Sequence, residues 1–421
     1  MKHSLIVIIF LLPIILSAQP DKIVTDNVKS VKLFPVNNQE ALPVLRLSTQ
    51  DQLELHFDDL DNRTKNYYYT YQLCNANWEP ADVNPFDYIK GFTENRLTQY
   101  RFSSIASTKY VHYQMLLPEE NCMPVKSGNY LLKVYLNGDT SQLVFTKKFF
   151  VVDNKAMLAA QIVQPLDNQL FKTHQRIQLL LNASQLNPVN AAQQIKVAVV
   201  QNYRWDNLIT DIQPTFIRDN TLEFSNENEI IFPAGKEYRW VDMRSFRFLS
   251  DRMQKVDTMN KQLQMFIKPD AQRNKQLYLL TKDLNGWFDV STTDNINNWW
   301  QSDYAFVHFT FIPENNLPYE NKSVYVSGEL TNNALNEKSK MVFNEVKGVY
   351  EKIIYLKQGY YSYTYVTKEN KPDAIADATI TDGNSWETEN DYTIFVYYRS
   401  LSDRHDELVN ITTINSRLGK R

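Results

Sequence analysis

Residues 127–153 read SGNYLLKVYLNGDTSQLVFTKKFFVVD. Ser127-Gly128-Asn129 is a turn signal, after which Tyr130, Leu132, Val134 and Leu136 fall on one face of an extended strand and Leu131, Lys133 and Tyr135 on the other. Asn137-Gly138-Asp139-Thr140 supplies residues that tolerate positive φ. A second strand follows, with Phe145, Phe149 and Val151 on one side and Val144, Phe150 and Val152 on the other. This is a β-hairpin. The same grammar returns at residues 347–366, KGVYEKIIYLKQGYYSYTYV, where a Gly turn precedes aromatic and β-branched residues. Two such hairpins predict an all-β chain of tandem β-sandwiches.

The composition supports that class. At 421 residues the chain has room for two to four domains of roughly 100–200 residues each. Its 25 Tyr and 22 Phe favour strands, because flat side chains pack well on a pleated surface. Only 10 Gly argues against Gly-rich phosphate loops and leaves most turns to Asn, Asp and Pro. Residues 1–18 form an expected cleaved signal peptide: Lys2 and His3 open it, an apolar run occupies 5–16, and Ser17-Ala18 suits cleavage. No Cys follows that run, so a lipid acceptor is missing, and no later stretch offers the roughly 18 uncharged apolar residues of a membrane span. A soluble exported chain without direct membrane insertion is expected. Losing the positive charge of Lys2 takes the formal charge from −3 to −4, which provides no basic field for nucleic acid. Cys74 and Cys122 are the two cysteines; an oxidising compartment permits one disulfide between them, and two unpaired thiols near a core fit equally well.

Strand patterning divides the remainder into an N-terminal β-sandwich over 24–153, a middle β-sandwich over 154–313, a C-terminal β-sandwich over 317–414 and a tail over 415–421. Between two strands of the first, residues 74–92, CNANWEPADVNPFDYIKGF, form a long loop from which Trp78, Phe86, Tyr88 and Phe92 project as candidate interface anchors. Trp287, Trp299 and Trp300 lie in a second predicted loop and are interface candidates for the same reason.

Catalytic patterns are missing. Asp58, Asp59 and Asp61 form the densest carboxylate cluster, but counting from Asp59 the fifth position of a calcium loop is Arg63 and the twelfth Thr70, so a solvated strand-end turn is expected. His56, His112, His174, His308 and His405 stand singly, without zinc-site spacing, and on strands they read as structural histidines. There is no G-x-S-x-G elbow. The sequence therefore predicts no enzyme, no metal and no cofactor. The rows Tyr67, Tyr69, Tyr71 and Tyr361, Tyr363, Tyr365 could stack sugars or a protein, but cross-strand core packing is the expected role.

The series LHFDDL, YYYTYQLCNANWEPADV, KGF, YVHYQMLLP, SGNYLLKVY and KKFFVVD resembles the N-terminal domain of the plug protein family of the Bacteroidota type IX secretion system, formerly a domain of unknown function. LKQGYYSYTYV and DGNSWETENDYTIFVYYRS resemble that family's C-terminal part. The resemblance implies a non-enzymatic periplasmic subunit on the inner side of the outer membrane. Its partner would be the translocon's outer-membrane barrel protein, whose periplasmic end it would plug when the pore is not engaged; no small-molecule substrate is implied. The stretch from VYVSGELTNNALNEKSKMVF onward also resembles an Ig-like, early-set sandwich of the glycogen-binding sort, which makes a periplasmic glycan-binding module the alternative. That family's Trp is missing from Glu329-Leu330-Thr331-Asn332-Asn333-Ala334, which weakens sugar binding and leaves the fold.

Overall fold

The structure, a computed structural model, describes residues 21–259, 262–371 and 374–417. The expected signal peptide at 1–18 and the last four residues of the expected tail lie outside them.

The expected hairpin forms between Gly128–Leu136 and Leu143–Val152, antiparallel, with Tyr130 opposite Phe149 and Val134 opposite Phe145. Asn137 and Gly138 take φ of 56° and 72° in the turn, as the sequence requires. A register shift between Val134 and Tyr135 breaks the alternation near the turn, and Val144, expected beside Phe150 and Val152, joins Phe145 in the inner core instead. The hairpin centres a five-stranded sheet completed by Val44–Arg46, Tyr67–Cys74 and Asn95–Arg96. A second sheet of Val28–Pro35, Leu53–Asp59, Val111–Leu117 and Tyr100–Phe102 accompanies it. Tyr67, Tyr69, Tyr71, Leu132, Phe57 and Tyr113 fill the core of this N-terminal unit.

Beyond residue 153 strand pairing crosses the expected boundary at 313–317. A second core, built on Ile177, Leu179, Leu222 and Phe224, is shared with Tyr392, Ile394 and Val396 from the end of the chain. Its two sheets are Met157–Val163, His174–Asn182, Thr221–Phe224, Phe216–Arg218 and Ile231–Pro233 on one side and Ile195–Gln201, Asp391–Tyr398 and Glu407–Asn415 on the other. A third core joins Val241, Met265, Val307 and Phe309 to Val324, Tyr361, Tyr363 and Tyr365. The third unit thus interrupts the second. Arg239–Asp242 pairs with Tyr360–Glu369, and Tyr304–Ile312 with Val349–Lys357, both across the expected boundary. Period-two alternation identifies a strand and its buried face without naming its partner, which is why the boundary drawn from the sequence and the observed pairing differ.

Candidate interaction surface

The long loop at 74–92 is ordered by its own chemistry. The Asn84 side chain accepts from the Phe86 N–H at 3.1 Å and caps the short helix Pro85–Tyr88, where Pro85 occupies the first turn. Ile89–Gly91 then pairs antiparallel with Cys122–Pro124, placing Lys90 opposite Met123. Gly91 is required there: its φ is 98°, and a Cβ would stand 2.1 Å from the Asn121 carbonyl oxygen. Tyr88 faces inward, donating to the Tyr71 carbonyl at 3.2 Å. Phe86 and Phe92 face outward, 76% and 65% exposed, with Met123 on the neighbouring strand and Val125 just beyond it also exposed. An adjoining cleft bears Asp82, Asp87, Lys126, Asp403 and Arg404. Exposed aromatics beside mixed charge have the composition of a protein-contact patch.

Of the four residues expected to anchor a partner, the structure brings Phe86 and Phe92 to the surface and buries Trp78 and Tyr88. Trp78 closes an internal seam: its ring meets Phe150 and Trp205 edge-on, at centroid separations of 5.6 and 5.4 Å. Lys148 sits between the indoles, its Nζ 4.6 Å from the Trp78 ring and 4.4 Å from that of Trp205. No hydrogen-bond partner reaches this ammonium among the described residues, and burial pushes it down to about 8. The other loop tryptophans also turn inward: Trp287 stacks on Tyr203 and Trp299 on His56, and neither they nor Trp300 are exposed.

Cys74 and Cys122 are free buried thiols, so the disulfide that the sequence permitted is not formed. Leu73 points into the N-terminal core with Cys122, and its neighbour Cys74 points to the opposite face of the sheet, into the seam with Trp78. Burial raises the Cys74 thiol to about 12 and the Cys122 thiol to about 11.

A second seam, against the third unit, holds Asp58, one of the three carboxylates the sequence placed in a solvated turn; Asp61, paired with Lys65, stays partly exposed in that turn. Asp58 and Asp59 are fully buried. Lys357 pairs with Asp58, both side chains at 0% exposure, and the Tyr304 hydroxyl donates to the same carboxylate. His112 Nδ1 lies 2.7 Å from Asp58, His56 Nδ1 lies 3.1 Å from His112 Nε2, and Glu54 ends the chain 2.9 Å from His56 Nε2. Trp299 stacks over His56 at 3.8 Å and 3°. Burial tends to raise the Asp58 carboxyl, but Lys357 and His112 outweigh it and hold it below the usual range. Burial pushes the His112 imidazole down to about 4. Nearby, Lys32 crosses the same seam to Glu329 at 2.8 Å and donates to the Gln39 carbonyl at 3.0 Å. Asp59 pairs instead with Lys65 at 2.8 Å and accepts from the Tyr67 hydroxyl at 2.8 Å.

Each buried charge of the Asp58 seam is consumed by a partner, and no three His, Cys, Asp or Glu side chains converge as a metal site among the described residues. The Tyr67–Tyr71 and Tyr361–Tyr365 rows are core, at most 2% exposed, and offer no platform for a sugar. The seams were invisible to sequence reasoning because Asp58 and Lys357 are 299 positions apart; the only signal was charge on otherwise apolar strands.

Residues 28–153 match the family described as Type 9 secretion system plug protein 1st domain. Among solved structures, the chain is similar to the crystal structure of a hypothetical protein from Parabacteroides merdae ATCC 43184, with 30% identity and a TM-score of 0.90 over 94% of this chain and 98% of that one. No curated protein matches the chain.

Proposed function

The chain belongs to the type 9 secretion system plug protein family, and from that premise we propose that it closes the periplasmic end of the system's outer-membrane barrel while the pore is not engaged. A role in type 9 secretion and a periplasmic or outer-membrane-associated location follow from membership, and the family is not one of enzymes. The match over residues 28–153 is the observation that carries the proposal. The seams supply the physics. A pore wide enough for folded cargo leaks solutes unless its stopper is stiff, and units joined only by flexible linkers would yield. Here the matched unit is tied to the third by Asp58–Lys357 and Lys32–Glu329, and to the second through Trp78, Lys148 and Trp205. Docking then needs an interface on the order of 1,200–2,000 Å² with apolar anchors, for which Phe86 and Phe92 are the assigned residues.

Two measurements test this. Cells lacking this chain, in a background where no cargo or other subunit fills the barrel, should admit a large antibiotic or dye that cells retaining it exclude; an intact barrier without it refutes plugging. Phe86→Ser/Phe92→Ser should fold with stability within about 0.5 kcal/mol of wild type, since both rings are exposed, yet lose co-purification with the barrel. Full recovery of the barrel with that variant moves the contact elsewhere.

A further inference from the structure

A cleft of about 780 Å³ opens where the first strand of the N-terminal unit faces the third unit. That volume lies inside the roughly 300–1,000 Å³ range of small-molecule sites. One wall is residues 28–31 of the strand Val28–Pro35, the other the turn at 329–336 and residues 352–357 of the strand Val349–Lys357. The first wall is bulged: Lys29 pairs with Asp58 and Lys32 with His56, so Ser30 and Val31 together oppose a single residue. Ser30 holds φ of 51°, a left-handed conformation costly for a residue with a Cβ, and its hydroxyl is 2.8 Å from that of Tyr304. Strain of this kind persists where the surroundings enforce it, and it collects at ligand sites.

The charge around the cleft is mainly positive, with Asp26 near Lys29 and Glu337 near Lys352 as opposing carboxylates. Its carboxylates are already taken: Asp21 is paired with Lys147 at 2.7 Å and Glu329 with Lys32 at 2.8 Å. Lys357 is spent on Asp58, and Lys338 on Asp26 at 2.7 Å. Lys22, Lys29 and Lys352 also line it, and among the described residues none of the three makes an ion pair. Lys352 donates only to the Glu337 carbonyl, at 2.7 Å. Burial, then repulsion from Lys338, holds the Lys29 ammonium below the usual lysine range. The lining also carries an apolar share, supplied by Leu330, Leu335, Ile353 and Ile354, among the polar groups of Thr331, Asn332 and Asn336. We propose that this cleft binds a single-chain amphiphile with an anionic head, the head held by Lys29 and Lys352 and the chain laid on the apolar wall. An apolar chain without charge would leave the ammoniums unmatched, and a bare anion would leave the wall wet. The inference is independent of plugging.

The test is calorimetric titration of the full chain with dodecyl phosphate, kept below its micelle concentration at low salt. Saturable one-to-one binding is expected, weakened at least tenfold in Lys29→Gln/Lys352→Gln and falling with added salt. Both lysines are partly exposed, so an unchanged thermal transition will show that the double variant folds. Failure of dodecyl phosphate to saturate, or equal affinity in the double variant, overturns the site. Inorganic phosphate binding as tightly overturns the role of the chain, and dodecyl maltoside binding as tightly overturns the role of the charge.

Discussion

Removing the Lys357 ammonium should expose the energetics of the seam that joins the N-terminal unit to the third. In Lys357→Met the stem volume is kept and Asp58 loses its counter-ion at a site where both side chains are fully buried. His112 at 2.7 Å and the Tyr304 hydroxyl still reach the carboxylate, but at neutral pH neither carries a compensating charge. Breaking one side of a buried pair costs about 3–5 kcal/mol, because the remaining charge is left in a poor solvent. The cost should depend on pH in a definite direction. In the wild type, burial lowers His112 from 6.5 to about 4, so between those values the unfolded chain holds a proton that the folded one does not. That stability is complete above pH 6.5 and is lost as the pH falls, the loss amounting to about 3 kcal/mol by pH 4. The variant lacks the Lys357 repulsion that helps depress His112, and bare Asp58 favours the imidazolium. Its His112 rises towards the unfolded value, so the variant loses less stability than the wild type as the pH falls. The gap between wild type and variant should therefore be widest near pH 8 and narrow towards pH 5. Urea denaturation across that range, with His112 followed by NMR, measures both. A loss below about 1 kcal/mol at pH 8, or a gap that does not change with pH, refutes the reasoning. Adding Asp58→Asn to Lys357→Met should recover most of the loss, since the stranded charge is then removed.

Lys148 makes the opposite case. Its folded value of about 8 against 10.5 means that the unfolded chain binds the extra proton between them, so the wild type should gain stability, up to about 3 kcal/mol, as the pH rises from 8 to 10.5. Lys148→Met should be at least as stable at pH 7 and lack that gain; parallel denaturation curves for the two proteins would contradict it. The thiols give a simpler check. A thiol reagent should leave the folded chain unmodified and titrate both Cys74 and Cys122 after denaturation, whereas mobility that changes on reduction would reveal a disulfide.

Alternation in SGNYLLKVY and KKFFVVD, the Asn137-Gly138 turn and the tyrosine rows were sufficient for the all-β class and for most of the N-terminal core, because each is set by the two-residue period of one strand and its next turn. The motif series was equally sufficient for the family, later matched over 28–153. Of the surface, the exposure of Phe86 and Phe92 followed from a loop without alternation. Tertiary structure alone decided that Asp391–Tyr398 completes the middle sandwich, that Trp78 turns inward, that Cys74 and Cys122 face apart, and that Asp58 meets Lys357. Those facts depend on which of many similar strands pair and on which units close over a side chain. Such choices are settled by burial summed over residues hundreds of positions apart, so no local stretch of sequence contains them.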